Sequence, residues 1–255
     1  MGLETALIVT TFNSPRFLEI VFRSILLQTV IPNQIIVADD GSDPDTRRVV
    51  VAAAEQFGSR LVHVWQPDTS FRAARIRNLA IQRVRCQYVV FIDGDCVLPP
   101  HFIEKHQQLS GDGVVVSGGR VLMTESETSE LLADSAKRVI FRNWKFISLP
   151  LGLIRDLFPS DWKVVRTCNL GCDIQNLRRI GGFDESYVGW GKEDSDLIVR
   201  LIRAGARIRS GRFATSLKHL HHFAFSRSLL SNNERRFSEL LTSNRVVPSR
   251  SCIDS

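Results

Sequence analysis

Two kinds of segment alternate along the first hundred residues. Short unbroken apolar runs, namely "ALIVTTF", "QIIVADD", "LVHVWQ" and "YVVFID", are typical of strands that are buried on both faces. Longer segments between them, beginning with "SPRFLEIVFRSILLQT", repeat their apolar positions at helical spacing. This alternation predicts an α/β fold, in which a mostly parallel, right-handed sheet carries helices on both faces.

The second half of the chain is less regular. "GVVVSGGRV" predicts another strand, and "IQNLRRIGGFDE" and "KEDSDLIVRLIRAGA" predict helices that end at glycines. "FATSLKHLHHF" predicts a strand-like run with three histidines, of which His219 and His221 share one side and His222 faces the other. The final residues, "NRVVPSRSCIDS", predict a poorly ordered tail.

Carboxylates follow two of the buried strands. Asp39 ends the second strand, and Asp93 and Asp95 end the fourth with only Gly94 between them. Ligands of parallel sheets gather at the carboxyl ends of strands, so we expect these acids to share one crevice. Residues two apart point to the same side, where two carboxylates repel unless a cation joins them. The pattern favours a Mg²⁺ or Mn²⁺ site over a solvated Asp-Gly turn.

Composition and charge narrow the class of protein. The chain has 255 residues, 44% of them hydrophobic and 24% charged, which fits one large α/β domain or one such domain with a smaller appended region. The net charge of +6 raises nucleic-acid binding as an alternative, but the arginines are dispersed and the strand ends are acidic. We find no signal peptide and no apolar run near the roughly 20 residues of a membrane span. Five cysteines without a framework spacing predict reduced thiols, and together these features predict a cytoplasmic protein.

Three further motifs carry candidate chemistry. Arg77 lies near the start of a helix, where a cation is unfavourable unless an anion such as a diphosphate offsets it. In "GWGKEDSDL", a Gly-Trp-Gly loop precedes acids that are suited to act as a general base. The three histidines of "HLHH" predict at least one ligand for a divalent metal.

Taken together, these motifs resemble a family-two glycosyltransferase of the GT-A fold. The matching pieces are "IVTTFNSP", "IIVADDGSD", "FRAARIRNLAI", "VVFIDGDCVLPP", "GGFDESYVGWGKEDSDLIVRLIRAG" and "HLHH", which occur in the family's order from about residue 5 to 225. The second half is similar to the subgroup that shares its C-terminal part with galactosyltransferases and chondroitin-type polymerases. The resemblance implies an inverting transfer from a UDP-sugar to a hydroxyl of a glycan or a glycolipid, in cell-surface polysaccharide or lipopolysaccharide synthesis.

The resemblance also implies roles for the donor-binding residues. Thr10, Thr11 and Phe12 would border the uracil, and Asp39 would pair with its N3–H. Arg77 would approach the diphosphate or the base. Phe12 replaces the tyrosine that is frequent in the family, so it offers a ring for stacking but no hydroxyl.

The metal and the acceptor would be held by later residues. Asp93 would reach the ribose or the metal, and Asp95 would bind Mn²⁺ (or Mg²⁺) together with His219, with His222 as the second choice. Asp194 would be the general base, and Trp190 and Glu193 would shape the acceptor and donor-sugar pocket. Cys96 and Lys192 are departures from the family pattern.

On this resemblance we divide the chain into three parts. Residues 1–120 form a nucleotide-sugar-binding half, residues 121–230 an acceptor-binding and catalytic half of the same domain, and residues 231–255 a C-terminal tail. A sugar nucleotidyltransferase remains an alternative, although the loop "TTFNSPRF" lacks the glycines of a phosphate-binding loop.

One segment suggests contact with a membrane. "VIFRNWKFISLPLGLIRDLFPSDWK", from Val139 to Lys163, mixes basic residues with aromatic and aliphatic ones. Such a mixture suits the surface of a membrane, but the pattern slightly favours a helical lid or a core segment of the acceptor side.

Overall fold

The computed structural model describes residues 2–134, 161–223 and 226–253. The strands are β1 (Thr5–Thr11), β2 (Gln34–Asp39), β3 (Leu61–Trp65), β4 (Tyr88–Asp93), β5 (Cys96–Val97), β6 (Val114–Ser117), β7 (Arg120–Leu122), β8 (Asn169–Asp173), β9 (Arg207–Ser210) and β10 (Leu217–His219). The helices are α1 (Pro15–Leu26), α2 (Pro44–Phe57), α3 (Ala73–Arg83), α4 (Phe102–Leu109), α5 (Glu125–Ala133), α6 (Ile174–Arg179), α7 (Glu193–Arg203) and α8 (Leu230–Thr242).

These strands form a large sheet and a small one. The large sheet has the order β3-β2-β1-β4-β8-β6-β9, in which β8 runs antiparallel to both of its neighbours and the other pairs are parallel. The small sheet has the order β5-β10-β7. The prediction of an α/β fold with a mostly parallel sheet is therefore confirmed.

Helices cover both faces of the large sheet because its strands are apolar on both sides. Along β1, Ile8 packs into a cluster with residues of α3, α6 and α7, whereas Leu7 and Val9 pack into a second cluster with residues of α1, α2 and α4. This alternation follows the two-residue period of a strand. The sheet core is thus buried between two helical layers, and its strand ends remain available for a site.

The C-terminal residues differ from the prediction of a poorly ordered tail. After α8 the chain packs back onto the domain, and Ile253 is buried in the sheet core. The backbone N–H of Ser249 donates to Asp184 at 2.7 Å and that of Cys252 donates to Glu185 at 2.8 Å. The physical reason is that these two carboxylates are buried and require donors. The expectation of disorder was wrong for the residues up to 253.

The segment Val139–Lys163 lies outside the described residues, apart from its last three. Its predicted contact with a membrane therefore stays a prediction. Within the described ranges, every helix is too short or too polar to cross a bilayer.

Candidate active site

A cavity of about 750 Å³ opens at the carboxyl ends of the central strands. The parallel register brings Thr11 opposite Asp39 and Thr10 opposite Asp93, so β1, β2 and β4 end at one edge of the sheet. Of the predicted site residues, the cavity is lined by Thr10, Thr11, Phe12, Arg77, Asp93, Asp95, Trp190, Glu193, Asp194 and His219. Residues that are up to 209 positions apart in sequence, from Thr10 to His219, therefore meet in one site.

The turn after β4 places its two carboxylates against the end of β1. The N–H of Gly94 donates to the carbonyl of Thr10 at 2.7 Å. A Cβ atom at position 94 would lie 2.9 Å from the Thr11 hydroxyl and 3.2 Å from the Thr10 carbonyl. Only glycine therefore allows β4 to turn this closely under β1, which brings Asp93 and Asp95 into the cavity.

Asp95, His219 and His222 form a candidate metal centre. His222 Nε2 lies 3.0 Å from Asp95 Oδ2, and His219 Nε2 lies 3.5 Å from Asp95 Oδ1. One atom from each residue falls within 4.8 Å of the other two. Ligands at about 2.1 Å from one ion and at right angles to each other lie about 3 Å apart. One carboxylate and two imidazoles are a donor set that suits a divalent ion such as Mn²⁺.

The backbone prepares both imidazoles for that role. His219 Nδ1 lies 2.9 Å from the carbonyl of Leu220, and His222 Nδ1 lies 2.7 Å from that of Phe223. With Nδ1 donating its proton to a carbonyl, Nε2 faces Asp95, where it can donate a hydrogen bond to the carboxylate or, once it has lost its proton, offer its lone pair to a metal ion. Both rings are thereby oriented toward one point.

The charge state of this cluster is set by burial and by contacts. Burial raises the pKa of the Asp95 carboxyl, but the hydrogen bond from His222 and the two nearby imidazoles outweigh it and hold that pKa below its usual value. The hydrogen bond to Asp95 in turn raises the pKa of His222. The cluster thus favours a carboxylate with positive charge beside it.

The structure departs from the predicted arrangement of the histidines. β10 ends at His219, so the strand alternation does not continue to His221 and His222. His222 turns back to Asp95, while the N–H of His221 donates to the hydroxyl of Thr128 at 2.9 Å. The prediction that His219 and His222 face opposite sides of one strand was wrong.

Arg77 is the centre of an acidic network beneath the cavity. Its guanidinium Nη2 lies 3.4 Å from Asp93, and its Nη1 lies 3.2 Å from Glu193 and 3.6 Å from Asp194. Its Nε donates to the hydroxyl of Thr10 at 3.2 Å. The side chain is buried, and the charges of the three acids outweigh burial and raise its pKa. Arg77 therefore fixes three carboxylates, and its predicted approach to a diphosphate or a base stays a prediction.

Two of these acids titrate near neutral pH. Burial raises the pKa of Asp93 to about 6, although Arg77 opposes this shift. Burial, together with the charge of Asp194, raises the pKa of Glu193 to about 7. Glu193 Oε2 is buried without a hydrogen-bond partner in the part of the chain that the structure describes. Glu193 is therefore an acid with one oxygen left over for a ligand or a proton.

Asp194 is held by Thr167, a residue that no sequence motif singles out. Thr167 donates to one carboxylate oxygen of Asp194 from its backbone N–H at 3.1 Å, and to the other from its hydroxyl at 2.8 Å. Thr167 is buried and immediately precedes Cys168 and β8. The two bonds fix the carboxylate plane toward the cavity. A lone threonine in "RTCNLG" carries no motif that would have revealed this contact.

The loop before α7 has an unusual backbone. Gly189 and Gly191 have φ values of 80° and 102°, and Lys192, at the N-cap of α7, has a φ of 76°. A left-handed conformation is uncommon for a residue with a side chain. Between the glycines, Trp190 is 39% exposed and lines the cavity. The loop thus presents an aromatic ring at the mouth of the site, directly before the two acids.

At the end of β2 the cavity is lined by Asp40 rather than by Asp39. Asp39 is buried, with one oxygen accepting the N–H of Ser42 at 2.8 Å and the other 2.9 Å from His63 Nε2. Burial raises its pKa, but these contacts outweigh burial and lower it. Asp39 supports the turn, and its pairing with a base stays a prediction. Sequence reasoning overlooked Asp40, although it is the next residue.

Comparison with protein families assigns the chain. The model of "Glycosyl transferase family 2" matches residues 6–156, which is more than half of the chain. The chain belongs to glycosyl transferase family 2. The model named "N-terminal domain of galactosyltransferase" matches residues 156–223. Both halves of the predicted resemblance are therefore confirmed.

Characterised members of the family are distant in sequence. The chondroitin synthase of Escherichia coli is 27% identical over 230 residues, which cover 80% of this chain and 33% of that protein. A validoxylamine A glucosyltransferase of Streptomyces hygroscopicus subsp. limoneus is 26% identical over 254 residues, covering 90% of this chain and 55% of that protein. The family-2 chain thus spans between a third and about half of these relatives.

Solved structures share its fold. A mannosyltransferase from Pyrobaculum calidifontis, in complex with GDP-Man and Mn²⁺, has a TM-score of 0.62 at 17% identity. The match covers 86% of this chain and 57% of the mannosyltransferase chain. Residues 1–349 of S. aureus TarS, in complex with UDP, have a TM-score of 0.65 at 14% identity, with coverages of 94% and 65%. The predicted GT-A fold is confirmed.

Proposed function

We propose that this family-2 protein is an inverting, metal-dependent glycosyltransferase that moves a sugar from a UDP-sugar to a hydroxyl of a glycan or a glycolipid. The observation that carries the proposal is the convergence of the Asp95, His219 and His222 cluster with Asp194 in one cavity at the strand ends. A metal centre and a base in one cavity are the two groups that displacement of a diphosphate by a hydroxyl requires.

The strand ends would receive the nucleotide. Thr10, Thr11 and Phe12 line the end of β1 beside Asp40 of the β2 turn, and the ring of Phe12 offers a surface for stacking on uracil. The structure of TarS with UDP supports a uridine nucleotide. GDP-Man in the mannosyltransferase complex is the alternative that a donor screen must include.

The Asp95, His219 and His222 side chains would hold a divalent ion, and Asp93 lies beside them. An ion bound there would offset the negative charge that develops on the leaving diphosphate. Mn²⁺ in the complex of the mannosyltransferase supports Mn²⁺ as this ion, with Mg²⁺ as the alternative.

Asp194 would remove the proton of the acceptor hydroxyl as that oxygen attacks the anomeric carbon. The leaving diphosphate departs on the opposite face, so the configuration inverts. Thr167 and Arg77 hold Asp194 from two sides, which keeps the base in place. Trp190 and Glu193 would border the pocket for the acceptor and for the sugar of the donor.

The relatives suggest a setting in the synthesis of cell-surface polysaccharide. A chondroitin synthase and a hyaluronan synthase are among them, as are two validoxylamine A glucosyltransferases. We propose the setting of the chondroitin and hyaluronan synthases because both kinds of synthase are among the relatives, and we propose a cytoplasmic location.

The test is a donor-hydrolysis screen. UDP-glucose, UDP-galactose, their N-acetylamino forms, UDP-glucuronic acid and GDP-mannose are incubated with the protein, with Mn²⁺ or with EDTA. We expect slow release of UDP from one of these donors in the presence of Mn²⁺, and no release in the presence of EDTA. His222→Ala should abolish it, whereas the control His101→Ala, on an exposed turn, should leave it unchanged. Release that is equally fast in EDTA, or absent from every donor, would refute the proposal.

A further inference from the structure

Three arginine side chains that line the cavity belong to segments outside the central strands β1, β2 and β4. They are Arg120 at the start of β7, Arg166 shortly before β8 and Arg227 shortly before α8. All three are exposed. None of them pairs with a carboxylate in the described ranges, so their charges are available to a ligand.

Each guanidinium is held on one side by a neutral group. Arg166 Nη1 donates to the carbonyls of Lys163 at 2.8 Å and Val165 at 2.6 Å. The Arg227 guanidinium lies 4.9 Å from the centre of the Trp190 ring. Arg120 Nη1 lies 3.9 Å from Cys168 Sγ.

A guanidinium has five N–H donors, and these neutral contacts leave most of them unused. Neutral partners also leave the positive charge uncompensated. The side chains are thus oriented against the wall of the cavity while their remaining donors and their charge stay free for an anion.

Two of the three flank the threonine that holds Asp194. Arg166 directly precedes Thr167, and Arg120 contacts Cys168, which directly follows it. An acceptor hydroxyl must come to Asp194 to lose its proton, so the rest of the acceptor would lie near Thr167 and the two arginines next to it. Asp194 and Glu193 would repel a negatively charged acceptor there unless cations compensated them.

Resting on the transferase function proposed above, we propose that the acceptor is anionic. It carries a carboxylate or a phosphate on or beside the sugar whose hydroxyl is glycosylated, and Arg120 and Arg166 bind that group. Guanidinium forks match both anions with paired hydrogen bonds. Arg227, stacked on Trp190, supplies further positive charge at the mouth of the same cavity.

The experiment compares three probes that differ in one group. Methyl glucoside, methyl glucuronide and methyl glucoside 6-phosphate are titrated by NMR into the protein saturated with UDP and Mn²⁺. One charged probe should bind about tenfold or more tightly than the neutral one, since charge-assisted hydrogen bonds are the strong ones. Which of the two it is identifies the anion as a carboxylate or a phosphate.

A double variant, Arg120→Gln with Arg166→Gln, should remove that preference and leave the affinity for UDP unchanged. The matched control is Arg235→Gln, an exposed arginine of α8 that does not line the cavity. It should keep both the preference and the affinity. The substituted side chains are all exposed, so the melting temperature of each variant should stay close to that of the unmodified protein.

Two results would overturn the inference. One is equal binding of the three probes, including no binding of any. The other is a double variant that keeps the preference, whatever its affinity for UDP; at least tenfold weaker binding of UDP would then assign the arginines to the donor. Binding of UDP to the unmodified protein is measured first and tests the transferase proposal by itself. If UDP binds and either of these results is then obtained, the inference of an anionic acceptor fails and the transferase proposal still holds.

Discussion

The two walls of the cavity differ in the burial of their charged side chains and in the partners of those side chains. The strand-end wall, at the ends of β1, β2 and β4, buries its charged groups and pairs them with each other: Arg77 contacts three acids, and Asp95 contacts two histidines. The loop wall, made of β7, the segment before β8 and the segment before α8, exposes Arg120, Arg166 and Arg227 against neutral partners.

Charges on the strand-end wall are compensated within the fold, whereas charges on the loop wall would be compensated by a bound ligand. A buried charge that loses its partner costs several kcal/mol, so the strand-end wall is rigid and intolerant of change. An exposed charge without a partner costs little free energy, so the arginines of the loop wall do not destabilise the protein when no anion is bound. We therefore expect substitutions to have large effects on the first wall and small ones on the second.

The largest effect is expected at Asp95. Asp95→Ala removes the one carboxylate of the metal cluster, which should lower metal-dependent turnover by a factor of about a thousand or more. The measurement is the rate of UDP release against Mn²⁺ concentration. Asp112→Ala, which removes an exposed carboxylate just before the start of β6, at the opposite edge of the sheet, is the control. Full Mn²⁺-dependent turnover in Asp95→Ala would show that the metal centre lies elsewhere.

Arg77 should dominate the stability of the strand-end wall. Arg77→Met leaves Asp93, Glu193 and Asp194 without their shared cation, which should lower the free energy of unfolding by about 3–5 kcal/mol at pH 8. The loss should shrink at pH 5, because Asp93 and Glu193, with pKa values raised to about 6 and about 7, are protonated there.

Urea unfolding at the two pH values measures this loss. The control is Arg75→Met on the same helix, whose half-exposed side chain pairs with Glu185 and should cost about 1 kcal/mol. An equal cost for the two variants would mean that the buried network does not carry the stability of this wall.

The strand-end wall was the part that the sequence could predict. Apolar strands that end in Asp93 and Asp95 must converge in a parallel sheet, whatever lies between them. His222 was harder, because the alternation of a strand applies only as far as the strand, and β10 stops at His219. The hydrogen bonds from Thr167 to Asp194 and the packing of Ile253 into the sheet core depend on contacts between distant segments. No local sequence pattern indicates such contacts.

Thr167 connects the two walls and should have a moderate effect. Thr167→Val keeps the shape of the side chain but removes the hydroxyl that donates to Asp194 at 2.8 Å. Turnover should fall about tenfold while the KM for the donor stays constant, since a hydrogen bond to a charged group contributes about 1.5–3 kcal/mol. Thr167→Ser should restore turnover. Failure of serine to do so, or an equal change in KM, would contradict a role in positioning the base.

Glu193 should make stability depend on pH. Its pKa of about 7 exceeds the ordinary value of 4.5, so the folded protein holds this proton more tightly than the unfolded chain does. Stability should therefore fall as the pH rises through 7, by about 1 kcal/mol between pH 6 and pH 8. Urea unfolding in EDTA measures it, and Glu193→Gln should flatten this part of the profile. An unchanged slope in the variant would assign the titration to another group.

The smallest effect is expected at Lys192, where the loop meets α7. Its left-handed φ of 76° costs about 1 kcal/mol or more in a residue with a Cβ atom, and glycine would remove this cost. Its ammonium lies 3.8 Å from Glu234, in a half-exposed pair that contributes about 0–1 kcal/mol. Lys192→Ala loses the pair and keeps the strain, whereas Lys192→Gly loses both.

Comparison of these two variants isolates the backbone. Lys192→Gly should be about 1 kcal/mol more stable than Lys192→Ala, and it should stay within about 1 kcal/mol of the unmodified protein. Thermal unfolding of the three proteins decides this. If alanine proves as stable as glycine, the backbone at position 192 is not strained. The contacts of the Lys192 ammonium with Glu234 and with the Phe237 ring would then be what this residue contributes to stability.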